Sequence, residues 1–234
     1  MRVLAVSAHP DDLELLCAGT LARFIAEGHS VTMCHVSRGD RGSFQHTMEE
    51  IASIRHGEAA AAADLLGATH LSLGLSDGEV NSADPKQKDL AIDLIREVRP
   101  DLVITHHSSD YMPDHVETGK LIEDASFVAT LPLYQTQNPV HSIVPALYYM
   151  DTLAGLGFSP TEYVDISEFI DLKLAALSKH ASQVVWLRDH DGVDVLEQTR
   201  VMSAFRGVQA GTKYAEGFIP SLKWLRTRTV RLLP

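Results

Sequence analysis

The chain has 234 residues, 45% hydrophobic and 22% charged, which is the composition of an ordinary globular protein with room for one substantial core. Its 20 Lys and Arg against 31 Asp and Glu leave a net charge of -11, which argues against a nucleic-acid partner, because phosphate-backbone binding draws on clustered cations. No apolar run reaches the roughly 20 residues of a membrane span. The opening stretch MRVLAVSAHPDD meets acidic residues too early for a secretory signal, so a cytoplasmic location is the expectation.

In chain order, apolar runs bounded by turn signals predict strands at 2–7 (RVLAVS), 30–36 (SVTMCHV), 69–73 (THLSL) and 101–106 (DLVITH). Helical patterns at about 13–27, 47–66 and 86–98 separate them, with ends marked by EGH at 27–29, LGA at 66–68 and Pro100. Such βαβ alternation predicts an α/β fold with a mostly parallel, Rossmann-like sheet, a 3-2-1-4 core order and helices on both faces. The Ala-rich EAAAAADLLG at 58–67 reads as a packing helix. Beyond 140 the pattern changes: strands are expected at 145–151 and 161–167, one long amphipathic helix at 167–187 and a second helix at 193–207. The basic KWLRTRTVR at 223–231 reads as a terminal strand or helix with a solvated face. No repeat or Pro/Gly/Ser-rich linker interrupts the chain. A single unit over 1–234 is expected, with a core at 1–140 and a C-terminal α/β extension at 141–234 packed on it.

In a right-handed doubly wound sheet of this order the chain reverses between the first and fourth strands, and ligands bind outside the carboxyl ends of strands at that point. The loops following these two strands are AHPDD and HHSSDYMPDH. They supply His9, Asp11, Asp12 and His115, an imidazole and carboxylate mixture that suits zinc or another borderline divalent metal. Two histidines and one carboxylate leave a coordination position open, the mark of a catalytic site. A plainer alternative makes Asp12 an N-cap for the helix near Leu13 and His115 a cap for a helix at 116–130. The turn has AHPDD where a dinucleotide site needs GxGxxG, and two aspartates would repel a pyrophosphate. Cys17 and Cys34 form no CxxC pattern and read as reduced core residues.

AHPDDLELLCAGT resembles the opening signature of the PIG-L/LmbE-like family of zinc-dependent N-acetylglucosaminide deacetylases, and PDHVETG resembles its second metal motif. SRGDRGS, RHGEAAAAADLLGA, LGLSDG and DISEFIDLKLAALSKHASQ extend the likeness over nearly the whole chain. The resemblance implies that His9, Asp12 and His115 bind Zn2+ and that Asp11 is the general base. It implies a small N-acetylglucosamine-containing substrate, acetate and a free amine as products, and a homo-oligomer. By the same resemblance Arg55 reaches the substrate, whereas its spacing from Glu58 equally fits an i,i+3 ion pair. Asp77 is compatible with a turn, and its match to the family favours contact with sugar hydroxyls. SRGDRGS fits an anion-binding nest or a simple turn. His106 and His107 end the fourth strand, where one of them can support the site. His180 reads as a structural histidine.

The sequence departs from the family at Met112, where a histidine normally stands three residues before the metal-binding histidine. A thioether cannot donate to an oxyanion, and Asp114 is then expected to lack the histidine it would orient. Three outcomes follow: Tyr111 or another residue substitutes, the substrate differs, or activity is weak. The competing functions are an amidohydrolase for another acylated amine and a non-catalytic, metal-containing sugar-binding protein.

Overall fold

The computed structural model describes residues 1–234. Seven strands form one sheet of order β3-β2-β1-β4-β5-β7-β6, so the expected 3-2-1-4 core is present and the second half of the chain extends the same sheet. The strands are β1 (Arg2–Ser7), β2 (Ser30–Ser37), β3 (Thr69–Leu75), β4 (Leu102–Thr105), β5 (Ala146–Met150), β6 (Glu162–Asp165) and β7 (Ala215–Pro220). β1 to β5 pair in parallel, while β7 runs antiparallel between β5 and β6. Central β1 reads as an unbroken apolar run because both of its faces are covered. Val3 and Ala5 join one core with Leu21 and Phe24, and Leu4 and Val6 join another with Ile92, Ile95 and Ile122.

The helices are α1 (Asp12–Leu16), α2 (Ala18–Ala26), α3 (Met48–Leu66), α4 (Pro85–Val98), α5 (Pro113–Val128), α6 (Ile170–Leu177), α7 (Ala181–Trp186) and α8 (Val195–Ala210). Local chemistry sets several ends. Thr47 and Glu50 form a reciprocal capping box on α3, and Asp84 caps α4 ahead of Pro85. No helix is long and apolar enough to cross a membrane.

Three expectations are corrected, and one strand was not foreseen. The helix expected at 13–27 breaks at Cys17, because the Glu216 carboxylate accepts the backbone N–H groups of Gly19 and Thr20 at 2.9 and 2.7 Å and restarts the chain as α2. The helix expected at 167–187 breaks at 178–180, where His180 turns its ring toward Glu14 at 3.3 Å, and continues into a π-helical turn at Leu187–Asp191. β7 was hidden by Gly217 and Pro220, residues that ordinarily mark loops. The stretch 223–231 is neither strand nor regular helix. Arg226 and Arg228 instead bond the carbonyls of Pro145 and Val144.

Candidate active site

The segment after β1 sets His9, Asp11 and Asp12 in the wall of a cleft, and the loop after β4 leads into α5, which brings the fully buried His115 up to Asp12. His115 lies in the first turn of α5, which begins at Pro113, so it is not the residue ahead of the helix as its capping role required. α5 can approach the end of β4 only because residue 119 is glycine: a Cβ there would stand 2.5 Å from the His106 carbonyl oxygen. The glycine of PDHVETG therefore seats His115.

The ligand atoms of His9, Asp12 and His115 lie within 4.8 Å of one another. Asp12 caps nothing through its side chain as a conventional N-cap would; one of its oxygens accepts the His9 backbone N–H at 2.7 Å, and the other stands 3.3 Å from His115 Nε2. Asp110 accepts from His115 Nδ1 at 2.9 Å, leaving the Nε2 lone pair facing Asp12. That Nε2 is buried and has no hydrogen-bond partner. His9 Nε2 stands 3.1 Å from Asp114, which also accepts the Gly78 N–H at 2.6 Å. With Nε2 directed at a carboxylate, His9 presents Nδ1 to Asp12 at 3.5 Å.

Two imidazole nitrogens and a carboxylate converging in a buried space need a proton or a cation between them. Without a metal, burial opposes charge on His9, yet the bonds to Asp114 and Asp12 outweigh it and push its pKa up to about 10. His115 behaves alike: burial opposes the charge, while Asp12 and Asp110 raise its pKa to about 9. Burial works against the Asp12 carboxylate, but His115 and its neighbours hold it well below the usual carboxylate range. The orphaned His115 Nε2 and this donor set fit a borderline divalent ion such as zinc.

His106 packs its ring on His115, with centroids 3.9 Å apart. Its Nε2 accepts the Ala8 N–H at 3.0 Å, and burial, then the neighbouring His115, push its pKa down to about 4. His106 is therefore a neutral wall of the site. His107 is not brought to the site: its Nδ1 is 2.6 Å from Ser109 Oγ and its ring meets Tyr149 and Phe158 edge-on.

Asp11 is strained. Its φ of 112° lies in a region that non-glycine residues seldom adopt, and such strain persists only where the surroundings enforce it. Arg55 enforces it. Buried on α3, its guanidinium bonds the Pro10 carbonyl, Asp11 Oδ1 at 3.2 Å and the Gly39 carbonyl at 3.4 Å. Gly39 has φ +71°, and any Cβ there would lie 2.5 Å from the guanidinium carbon. Arg55 thus pairs with Asp11 and not with Glu58, whose carboxylate accepts from the Ser182 N–H and hydroxyl. Burial raises the Asp11 pKa and Arg55 lowers it, leaving it at about 6.

Asp77 reaches the cavity wall with its carboxylate already engaged, accepting the Gly39 and Arg41 N–H groups at 2.9 and 3.3 Å. The nest suspected in SRGDRGS is thus filled by the chain's own anion. Met112 lines the cavity, and Tyr111 stands beside it, 63% exposed. Asp114 has not lost its histidine; its partner is His9.

Asp110 and the buried Glu14–His180 pair were missed in the sequence. The signal for Asp110 was an acidic residue five positions before a ligand histidine, although spacing alone could not show that its carboxylate turns back onto the ring. Glu14 and His180 are 166 positions apart, and nothing local joins them.

A mostly parallel α/β sheet with a histidine–carboxylate cluster at its switch point defines the class, and comparison gives its lineage. The chain belongs to the PIG-L family, described as GlcNAc-PI de-N-acetylase, whose sequence profile matches residues 4–126. It is 26% identical to the diacetylchitobiose deacetylase of Thermococcus kodakarensis over 94% of this chain and 84% of that one. Among solved structures it is similar to the conserved protein TT1542 of Thermus thermophilus, with 31% identity, 99% of both chains covered and a TM-score of 0.82. It is also similar to GalB, the 4-carboxy-2-hydroxymuconate hydratase of Pseudomonas putida, with 25% identity, 99% and 100% covered and a TM-score of 0.83.

Proposed function

We propose that the protein is a zinc-dependent hydrolase that removes the N-acetyl group from a small N-acetylglucosamine-containing molecule, releasing acetate and a free amine. One observation carries this reading: the orphaned, buried Nε2 of His115 converges with Asp12 and His9, and those two residues line a cleft together with the strained Asp11. His9, Asp12 and His115 hold the metal, with Asp114 and Asp110 orienting the two imidazoles from behind. When bound, the ion supplies Lewis acidity that polarises the acyl carbonyl and acidifies water.

The remaining work falls to the chain. Arg55 engages Asp11 through Oδ1, leaving Oδ2 for the attacking water. Asp11 accepts the water proton as the C–O bond forms, then returns it to the nitrogen as the C–N bond breaks. Met112 offers no hydrogen to the developing oxyanion, and the neighbouring Tyr111 hydroxyl is the donor we assign to that task.

The likeness to the hydratase favours a second reading, addition of water to a carboxylated alkene by the same base. One panel separates the two. Acetate release from N-acetylglucosaminides, abolished in Asp11→Asn, supports the deacetylase; loss of dienol absorbance from 4-carboxy-2-hydroxymuconate without any acetate release would overturn it.

A further inference from the structure

The cleft that holds His9, Asp11 and Asp12 is one cavity of about 600 Å³, mid-range for a pocket that encloses a drug-sized ligand, and it extends well past the reacting residues. Its walls come from α1, the 153–156 turn, α6, α8 and β7, and its apolar lining includes Leu15, Leu153, Val193, Val195 and Met202. None of these residues has a task in the hydrolysis described above.

The charges in the lining are decisive. Its Arg and Lys side chains are Arg55, Lys173 and Arg206, and each is already committed to a carboxylate. Arg55 holds Asp11, Lys173 Nζ lies 2.6 Å from Glu216, and Arg206 grips Asp151 through two bonds of 2.6 and 2.9 Å. Glu216 in turn accepts from two N–H groups at the start of α2, so the Lys173 pair is fixed within the fold. Asp12, Asp77 and Asp191 add further carboxylates to the wall. Away from the metal ligands, an anionic group entering here would find no uncommitted Arg or Lys side chain to replace its hydration.

The rim is aromatic. Trp186 lines the cavity, stacks on His190 at 4.6 Å and 12°, and meets Phe44 at 4.5 Å. Phe44 is 76% exposed, which continues the apolar surface outward from the cavity. The π-helical turn at Leu187–Asp191 places His190 there, and such turns recur at functional sites.

We propose that the acetamide-bearing substrate carries an uncharged, largely apolar aglycone, alkyl or aryl, seated in this cavity with its outer end against the Phe44–Trp186–His190 stack. The acetamide end of this proposal rests on the deacetylase reading; the apolar seat rests on the cavity alone.

The test uses the zinc-loaded protein and three glycosides of N-acetylglucosamine: methyl, hexyl and the 1-phosphate. Full burial of a methylene is worth roughly fourfold in affinity, so kcat/KM for acetate release is expected to be at least about tenfold higher for hexyl than for methyl, and lowest for the 1-phosphate. Hexyl glucoside, which lacks the acetamide, serves as a binding probe read by calorimetry. Met202→Lys, which sets an unpaired cation in the wall, is expected to bring the hexyl preference within threefold and to weaken probe binding. The wild-type chain-length series needs no variant. Equal rates for hexyl and methyl, or a preference for the 1-phosphate, would overturn the apolar seat while leaving the deacetylase intact. Binding of hexyl glucoside with no acetate from any glycoside would uphold the seat and remove the deacetylase reading.

Discussion

Replacing Arg55 by Met tests whether Asp11 is a tuned base or only a strained turn. The guanidinium is 3.2 Å from Asp11 and is what pulls the pKa of that buried carboxyl down to about 6. Losing an adjacent cation raises a carboxyl pKa by about 1 to 3. The acid limb of the kcat/KM profile therefore moves up by about 1 to 3 from its wild-type position. Below the shifted limb the ionised fraction of Asp11, and with it the rate, falls by about 10- to 1000-fold. Activity returns as the pH is raised, because the base is intact and only protonated. Breaking a buried pair also costs about 3–5 kcal/mol of stability, so the variant is assayed below its own melting temperature, with circular dichroism and metal content checked. An acid limb that stays in place, or moves down, in a folded and metal-replete variant would refute the reasoning.

Other consequences follow from single contacts. Asp110→Asn removes the carboxylate that fixes His115 Nδ1 as donor; zinc affinity by competition titration is expected to drop about 10- to 100-fold, and an unchanged affinity would contradict that orienting role. Tyr111→Phe removes the hydroxyl assigned to the oxyanion, so kcat should fall about 100- to 1000-fold with little change in KM; a full-rate variant would return that task to another group. His35 is buried and, chiefly through burial, has its pKa pushed down to about 3. Below pH 6.5 the unfolded chain takes up a proton that the folded His35 refuses, so its contribution to stability is present above pH 6.5 and declines as the pH falls toward 3. Between pH 6.5 and 5 this amounts to about 2 kcal/mol, and denaturant titrations of His35→Gln should lack that part of the pH slope; identical slopes would contradict it.

How far the sequence could be read depended on how local each cause was. β1, β2 and β4 were legible because buried parallel strands read as plain apolar runs between turn signals, and the half-exposed edge strand β3 was legible by its alternating THLSL. The metal cluster was legible because its chemistry sits in two short motifs that the sheet order brings together. Distant contacts erased other features. The break at Cys17 is made by Glu216, about 200 positions onward, and the break before α7 accompanies the approach of His180 to Glu14. Arg55 could be placed on its helix, yet its partner lay in another loop; the sequence offered Glu58, and the fold supplies Asp11. Asp114 looked orphaned because Met112 stands where its usual histidine would be, and only the fold brings His9 to it.

The most direct test of the account is acetate release from a neutral N-acetylglucosaminide by chelator-stripped protein titrated with zinc, in parallel with Asp11→Asn. Activity that rises to a plateau at one zinc per chain, alongside a variant that binds the same single zinc and releases no acetate, is the predicted result. Equal acetate release by the stripped protein, or by Asp11→Asn, would contradict the assignment of the His9, Asp12 and His115 set and of the base beside it.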